Sequence, residues 1–225
     1  EYTIVRLAEE SYYLVSAGAW AAYDGDHLVK SAEDFTAAGG GYVSIHDVTT
    51  QWGVFALAGP ASRDILAKLI RDAQPETALS NKRFPWLSAR KIELGMVPVN
   101  AIRVAYTGEL GWELHHPIEM QNHLFDRLME AGEPAGMKLV GARAQNWLRQ
   151  EKSYRAFGTE LGRDATPLEA GLDRFVDLSK DFRGKAAMEA KGIRSLCVTL
   201  LIDGPQDADP WGREGIFLDG QKVGR

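Results

Sequence analysis

The stretch Ala105-Tyr106-Thr107-Gly108-Glu109-Leu110-Gly111-Trp112-Glu113-Leu114 decides the fold class of this chain. It reads as the end of one strand, a turn that glycine permits, and the start of a second strand. The expected hairpin, Val99 to Tyr106 with Trp112 to His115, holds Tyr106 and Glu113 close together. Helical text follows. Met120 to Met129 carries Leu124, Phe125 and Leu128 on one face, and Gly141-Ala142-Arg143 opens a helix running from Ala142 to Lys152. Hairpins interleaved with helices imply an α+β fold of antiparallel sheets.

Working outward, Thr3 to Leu7 and Tyr12 to Val15 are β-like runs joined by the polar turn Ala8-Glu9-Glu10-Ser11. Ala17 to Lys30 reads as a helix, and Tyr42 to Val48 and Trp52 to Ala58 as strands. Gly59-Pro60-Ala61-Ser62 starts a helix in which Ile65, Leu66, Leu69 and Ile70 recur at helical spacing. Asn81 to Pro98 is irregular or extended; its Phe84-Pro85-Trp86 suits a core or loop anchor as well as a stacking platform. Asp164 to Gly192 is rich in turns, and Arg194 to Ile202 reads as a strand opening a more purely β segment. The expected boundary lies near Gly184 to Ser195. It divides residues 1–190, the α+β region, from 191–225, the start of a small β-barrel domain. Both ends read as cut, the first on a strand and the last inside a hairpin at Lys222-Val223-Gly224-Arg225.

A chain of 225 residues with 45% hydrophobic and 25% charged side chains can bury one sizeable core or two small ones. Its net charge of −5 offers no general attraction to nucleic acid or acidic membranes, so an anionic ligand needs locally placed arginines. The longest apolar runs, such as Cys197 to Ile202, are too short to span a bilayer. One cysteine, Cys197, excludes an internal disulfide and reads as a small buried hydrophobe. A reducing compartment fits: cytoplasm or, in a eukaryote, the mitochondrial matrix.

Four residues stand out chemically. Glu113 lies on a strand between Trp112 and Leu114, the pattern of a solvent-facing position and equally of a carboxylate accepting two parallel N–H bonds. Tyr106 suits hairpin packing or the wall of the same pocket. Arg143 sits in the first turn of its helix, against the macrodipole, as a surface cation or a bidentate grip on a carboxylate. Glu1 reads by itself as a solvated strand-start residue. Among the five histidines, His115 and His116 are adjacent on a strand and face opposite ways; none has metal-ligand spacing, and no metal is assigned. Gly39-Gly40-Gly41 lacks the G-x-G-x-x-G pattern of a dinucleotide site, and no G-x-S-x-G occurs.

Taken together, Gly59-Pro60-Ala61-Ser62, Tyr106-Thr107-Gly108-Glu109 with Gly111 and Glu113, Gly141-Ala142-Arg143 and Thr166-Pro167-Leu168-Glu169-Ala170-Gly171-Leu172 resemble the glycine-cleavage T-protein (aminomethyltransferase) superfamily. Each piece is weak alone, but their order and spacing make a joint signal. Leu148-Arg149-Gln150-Glu151-Lys152-Ser153-Tyr154-Arg155-Ala156-Phe157-Gly158 is similar to the folate-binding C-terminal region of dimethylglycine and sarcosine dehydrogenases, with Ser153 replacing a common glycine. Gly171 to Asp177 and Phe182-Arg183-Gly184-Lys185 fit that branch too.

The resemblance implies tetrahydrofolate as cofactor and one-carbon transfer as chemistry, with residues 1–190 as the folate-binding region. Glu113 would bind the pterin edge, Tyr106 and Tyr154 would line its pocket, and Arg143 would meet the glutamyl tail. Glu1 stands where the family places a catalytic aspartate. Expected partners are folate and a small amine, with a flavoprotein domain or a lipoyl carrier protein besides. FAD is expected only on a separate domain N-terminal to this region, and neither nucleic acid nor membrane is expected as a partner. The alternatives are a stand-alone aminomethyltransferase and a non-catalytic folate binder of the same fold.

Overall fold

Alternation of side chains along four antiparallel strands produces the central sheet: β3 (Trp52–Ala58), β4 (Ala89–Leu94), β5 (Val97–Ile102) and β6 (Gly111–Pro117), in the order β3-β6-β5-β4. The computed structural model describes residues 2–204 and 210–225, and the chain divides into two units, Glu1–Thr159 and Glu160–Arg225. In the first unit, one sheet face presents Leu57, Leu94, Val97, Val99, Ala101, Trp112 and Leu114, all buried. Against it pack Ile65 and Leu66 of α2 (Ser62–Ala67), Ala78 of α3 (Pro75–Ala78) and Leu124 and Leu128 of α4 (Gln121–Gly132). Each large side chain so buried contributes about 1.5–3 kcal/mol, so this face anchors the unit.

The close approach of β3 and β6 depends on Gly111. A β-carbon there would stand 2.8 Å from the Leu57 carbonyl oxygen and 3.0 Å from Ala105 Cβ. Beside it the Gly59-Pro60-Ala61-Ser62 turn is tied to the start of β6. Gly59 N–H donates to Leu110 O at 2.8 Å, and the buried Ser62 hydroxyl donates to Gly59 O and Leu110 O.

Opposite the core, the second sheet face is partly covered by a hairpin of β1 (Thr3–Ala8) and β2 (Ser11–Val15), closed at the expected polar turn. Helix α1 (Ala21–Ala37) begins later and runs further than expected, and α5 (Ala142–Glu151) forms where expected.

Two expectations fail. Tyr42 to Val48 forms no strand: Tyr42, Val43 and Ile45 are exposed, and a period-2 pattern without a partner edge gains no ladder. Arg194 to Ile202 is likewise no strand; Leu196, Val198 and Leu200 are exposed, although Cys197 N–H donates to Glu169 O at 2.8 Å. Cys197 is half-buried, not fully buried.

The second unit contains α6 (Lys185–Lys191) and a hairpin of β7 (Ile216–Leu218) and β8 (Gln221–Gly224). Asp219 and Gly220, both at positive φ, make its tight turn. The described residues form no closed barrel; the chain is mixed α+β with antiparallel sheets. No helix among the described residues is long and apolar enough to cross a membrane.

Candidate functional site

Strand parity sends Glu113 and His115 to the face of β6 opposite Trp112 and Leu114. The two lie next to each other there, with His115 Nε2 3.3 Å from Glu113 Oε2. The His115 side chain is fully buried and the Glu113 side chain 29% exposed, so one carboxylate reaches the surface while its neighbour is sealed. From the hairpin above, the Tyr13 hydroxyl lies 3.1 Å from His115 Nδ1, with the two rings edge to face at 5.5 Å. Burial, and then the negative charge of Glu113, push the Tyr13 phenol above its usual 10.0, which keeps it a hydrogen-bond donor. Beside this cluster lies a cavity of about 260 Å³, walled by Val5, Leu7 and Tyr13 of the hairpin and by Asn100 and Ile102 of β5. Those two β5 residues are the cross-strand partners of His115 and Glu113.

Tyr106 is not on the strand that the sequence suggests. β5 ends at Ile102, directly opposite Glu113, because the backbone beyond it turns away from β6. Arg103 N–H donates to Ser88 O at 2.9 Å, and its guanidinium reaches Asn81 Oδ1 at 2.7 Å. Tyr106 therefore sits on the loop between β5 and β6, 42% exposed.

That loop meets the end of α5. Gly108, at φ +71°, lies so close to Tyr154 that a β-carbon would stand 3.2 Å from its Cζ and 2.9 Å from Lys152 Cγ. Lys152 Nζ pairs with Glu109 at 3.0 Å. Tyr154 is set in place by Arg149, which is buried and donates from Nη1 to the Tyr154 carbonyl at 2.8 Å and from Nε to Asn146 Oδ1 at 2.9 Å. Arg143 is exposed in the first turn of α5, with no hydrogen bond or ion pair among the described residues.

The structure thus joins Glu113 to His115 and Tyr13, and packs Tyr154 against the turn that carries Tyr106. Glu1 lies outside the described residues. Sequence reasoning missed Tyr13, His115 and Arg149. The Glu113-x-His115 spacing on a strand was the available signal, since residues two apart share a face. Among the described residues, no group of three His, Cys, Asp or Glu side chains could hold a metal ion.

Comparison with known proteins agrees with this architecture. The GCVT N-terminal domain pattern matches residues 1–180. Mitochondrial dimethylglycine dehydrogenase of Rattus norvegicus is 41% identical over 205 residues, which cover 88% of this chain and 23% of that protein. Mitochondrial sarcosine dehydrogenase of Mus musculus is 33% identical, over 96% of this chain and 23% of its own length. Aminomethyltransferase of Caldanaerobacter subterraneus is 34% identical, over 81% of this chain and 48% of that enzyme. The chain spans about a quarter of the dehydrogenases it matches and about half of the aminomethyltransferase. By this extended match the chain belongs to the GCVT N-terminal domain family, within the T-protein-like superfamily.

Proposed function

We propose that this chain is the tetrahydrofolate-dependent one-carbon transfer module of a dimethylglycine- or sarcosine-dehydrogenase-like protein. The observation that carries the reading is Glu113, a partly exposed carboxylate on the sheet face opposite the core, beside the fully buried His115. Its Oε1 has no hydrogen-bond partner among the described residues. The higher identity to dimethylglycine dehydrogenase, 41%, than to the aminomethyltransferase, 34%, favours the first branch.

The donor set fits a reduced folate. Glu113 accepts two parallel N–H bonds from the pterin edge, an interaction worth about 1.5–3 kcal/mol with a charged acceptor. Tyr106 and Tyr154, both about two-fifths exposed, supply aromatic walls on the Gly108 turn. Arg143 meets a glutamyl carboxylate with its planar fork. Tetrahydrofolate, when bound, supplies the ring nitrogen that takes up the one-carbon unit from a small amine donor. Glu1 is the residue assigned to steady the positive charge of that donor and to relay a proton, a role resting on its position in the family pattern. No flavin step is assigned to these residues; oxidation of the amine belongs to a separate FAD-bearing domain. The dehydrogenase relatives are mitochondrial, which supports the mitochondrial matrix as this module's compartment.

Calorimetric titration of tetrahydrofolate into wild type and Glu113→Gln tests the reading. Saturable binding that Glu113→Gln weakens tenfold or more, about 1.4 kcal/mol, is the expected result. No binding by the wild type would sink the folate reading, and equal binding by both would move the pterin elsewhere.

A further inference from the structure

His115 is fully buried, yet both ring nitrogens have polar partners, Tyr13 on one side and Glu113 on the other. We propose that His115 is a positioning residue for Glu113: its Nε2–H donates to Glu113 Oε2 while the Tyr13 hydroxyl donates to Nδ1, fixing one neutral tautomer. This inference rests on the reading of Glu113 as the pterin-edge carboxylate.

The partners dictate the tautomer. An ionised carboxylate only accepts, so the nitrogen facing Glu113 must carry the hydrogen. In the neutral ring the other nitrogen is then an acceptor, and the Tyr13 phenol is the donor within reach. The opposite tautomer would aim the lone pair of a fully buried ring nitrogen at a carboxylate oxygen, and an unmatched buried polar atom is costly.

The arrangement also preserves the carboxylate's capacity. A carboxylate offers about four lone-pair positions, of which His115 occupies one on Oε2. Oε1 and the second position on Oε2 remain for a two-point ligand. A side chain with two rotatable bonds beyond Cβ is thereby held in one orientation before the ligand arrives, the condition under which binding of a flat, two-point donor costs least. Tyr13 acts at one remove, through the ring: it comes from a different element, and its ring also packs at 6.2 Å from Trp52 on β3. The hairpin that covers the sheet therefore sets the protonation pattern beneath it.

Two measurements on the full chain test this. With ¹⁵N-labelled imidazoles, and His115 identified through the signals lost in His115→Gln, the free protein is expected to show the Nε2–H tautomer at His115. Tyr13→Phe, which removes one oxygen, is expected to shift its Nδ1 resonance. A dominant Nδ1–H tautomer, or an Nδ1 resonance indifferent to Tyr13→Phe, overturns the proposal without any ligand. In tetrahydrofolate titrations, His115→Ala is expected to weaken binding about tenfold and Tyr13→Phe about threefold, the range of one to two lost hydrogen bonds. His115→Gln, which restores an N–H donor, is expected to recover part of the loss. Equal affinity of the Ala and Gln variants, with Glu113→Gln still weakening the ligand, overturns the positioning role alone. Wild-type binding that Glu113→Gln leaves unchanged overturns the pterin reading and this role together.

Discussion

Arg149 and Tyr154 hold each other from both sides: Tyr154 N–H donates to the Arg149 carbonyl at 2.9 Å, and the Arg149 guanidinium donates back to the Tyr154 carbonyl at 2.8 Å. Between them Ser153 N–H donates to Gln150 O at 2.8 Å, and Ser153 itself adopts φ +57°. This pair of bonds is the Schellman ending of a helix, with Ser153 in the left-handed position that glycine favours. The ending aims Tyr154 at Gly108 and so connects helix termination to the candidate site.

Ser153→Gly should therefore stabilise the chain by roughly 0.5–1 kcal/mol, the left-handed penalty of an L-residue less the entropy that glycine loses on folding. Urea denaturation would read the gain as a higher midpoint at unchanged slope. Tetrahydrofolate affinity should stay the same, because the backbone path to Tyr154 does not change.

Neighbouring residues of β6 should behave oppositely because they face opposite sides of the sheet. Leu114 is fully buried in the core, and its truncation to Ala should cost about 2–5 kcal/mol. Glu113→Gln, partly exposed and nearly isosteric, should cost less than about 1 kcal/mol and lose ligand instead. Denaturation curves and titrations on both variants give the comparison, and a Glu113→Gln protein as unstable as Leu114→Ala would make Glu113 a structural residue.

Much of this was legible from period and turn chemistry. Trp52 to Ala58 is a strand with the expected bounds, and Leu124 and Leu128 pack the core as the helical spacing implied. The misses have physical causes. Tyr42 to Val48 has strand-like composition, but strand formation depends on a partner edge that local sequence does not specify. Tyr106 left the strand because Arg103 and Ser88, distant in sequence, share a backbone bond. Arg149 buries its guanidinium against Tyr154, a placement that helical spacing does not specify, and Tyr13 with His115 form a unit only because the hairpin folds over the sheet.

In the second unit, Thr166 and Glu169 cap each other: Thr166 N–H donates to Glu169 Oε2 at 2.8 Å, and Glu169 N–H donates to Thr166 Oγ1 at 3.1 Å. The Thr166 N–H above all, then the Arg194 N–H and the Lys191 ammonium, hold the Glu169 carboxyl down to about 2 against the opposing effect of burial. The folded value lies below the usual 4.5. Its contribution to stability is thus complete above about pH 4.5 and is lost as the pH falls toward about 2. Amide exchange at Thr166 and Arg194 should accelerate across that window, and Glu169→Gln should remove the pH dependence while leaving both amides less protected at neutral pH. Protection that is flat from pH 5 to 2 in the wild type would refute the assignment.

Arg143 provides the sharpest test of ligand orientation. It stands exposed at the start of α5, where a cation opposes the helix dipole by a few tenths of a kcal/mol, and it pairs with no described residue. Replacement by Ala should therefore leave stability unchanged or slightly raised. If it grips the glutamyl tail, tetrahydrofolate binding should fall about tenfold, consistent with loss of a charged hydrogen bond of about 1.5–3 kcal/mol. A tetrahydropterin lacking the glutamate should bind wild type and Arg143→Ala alike. Arg143→Lys should recover only part of the loss, since an ammonium cannot reproduce the two-point fork. Trp147, one helical turn on and 43% exposed, offers a fluorescence signal for these titrations. Equal losses for the folate and the bare pterin would assign Arg143 to the ring rather than the tail, and no loss for either would remove it from the site.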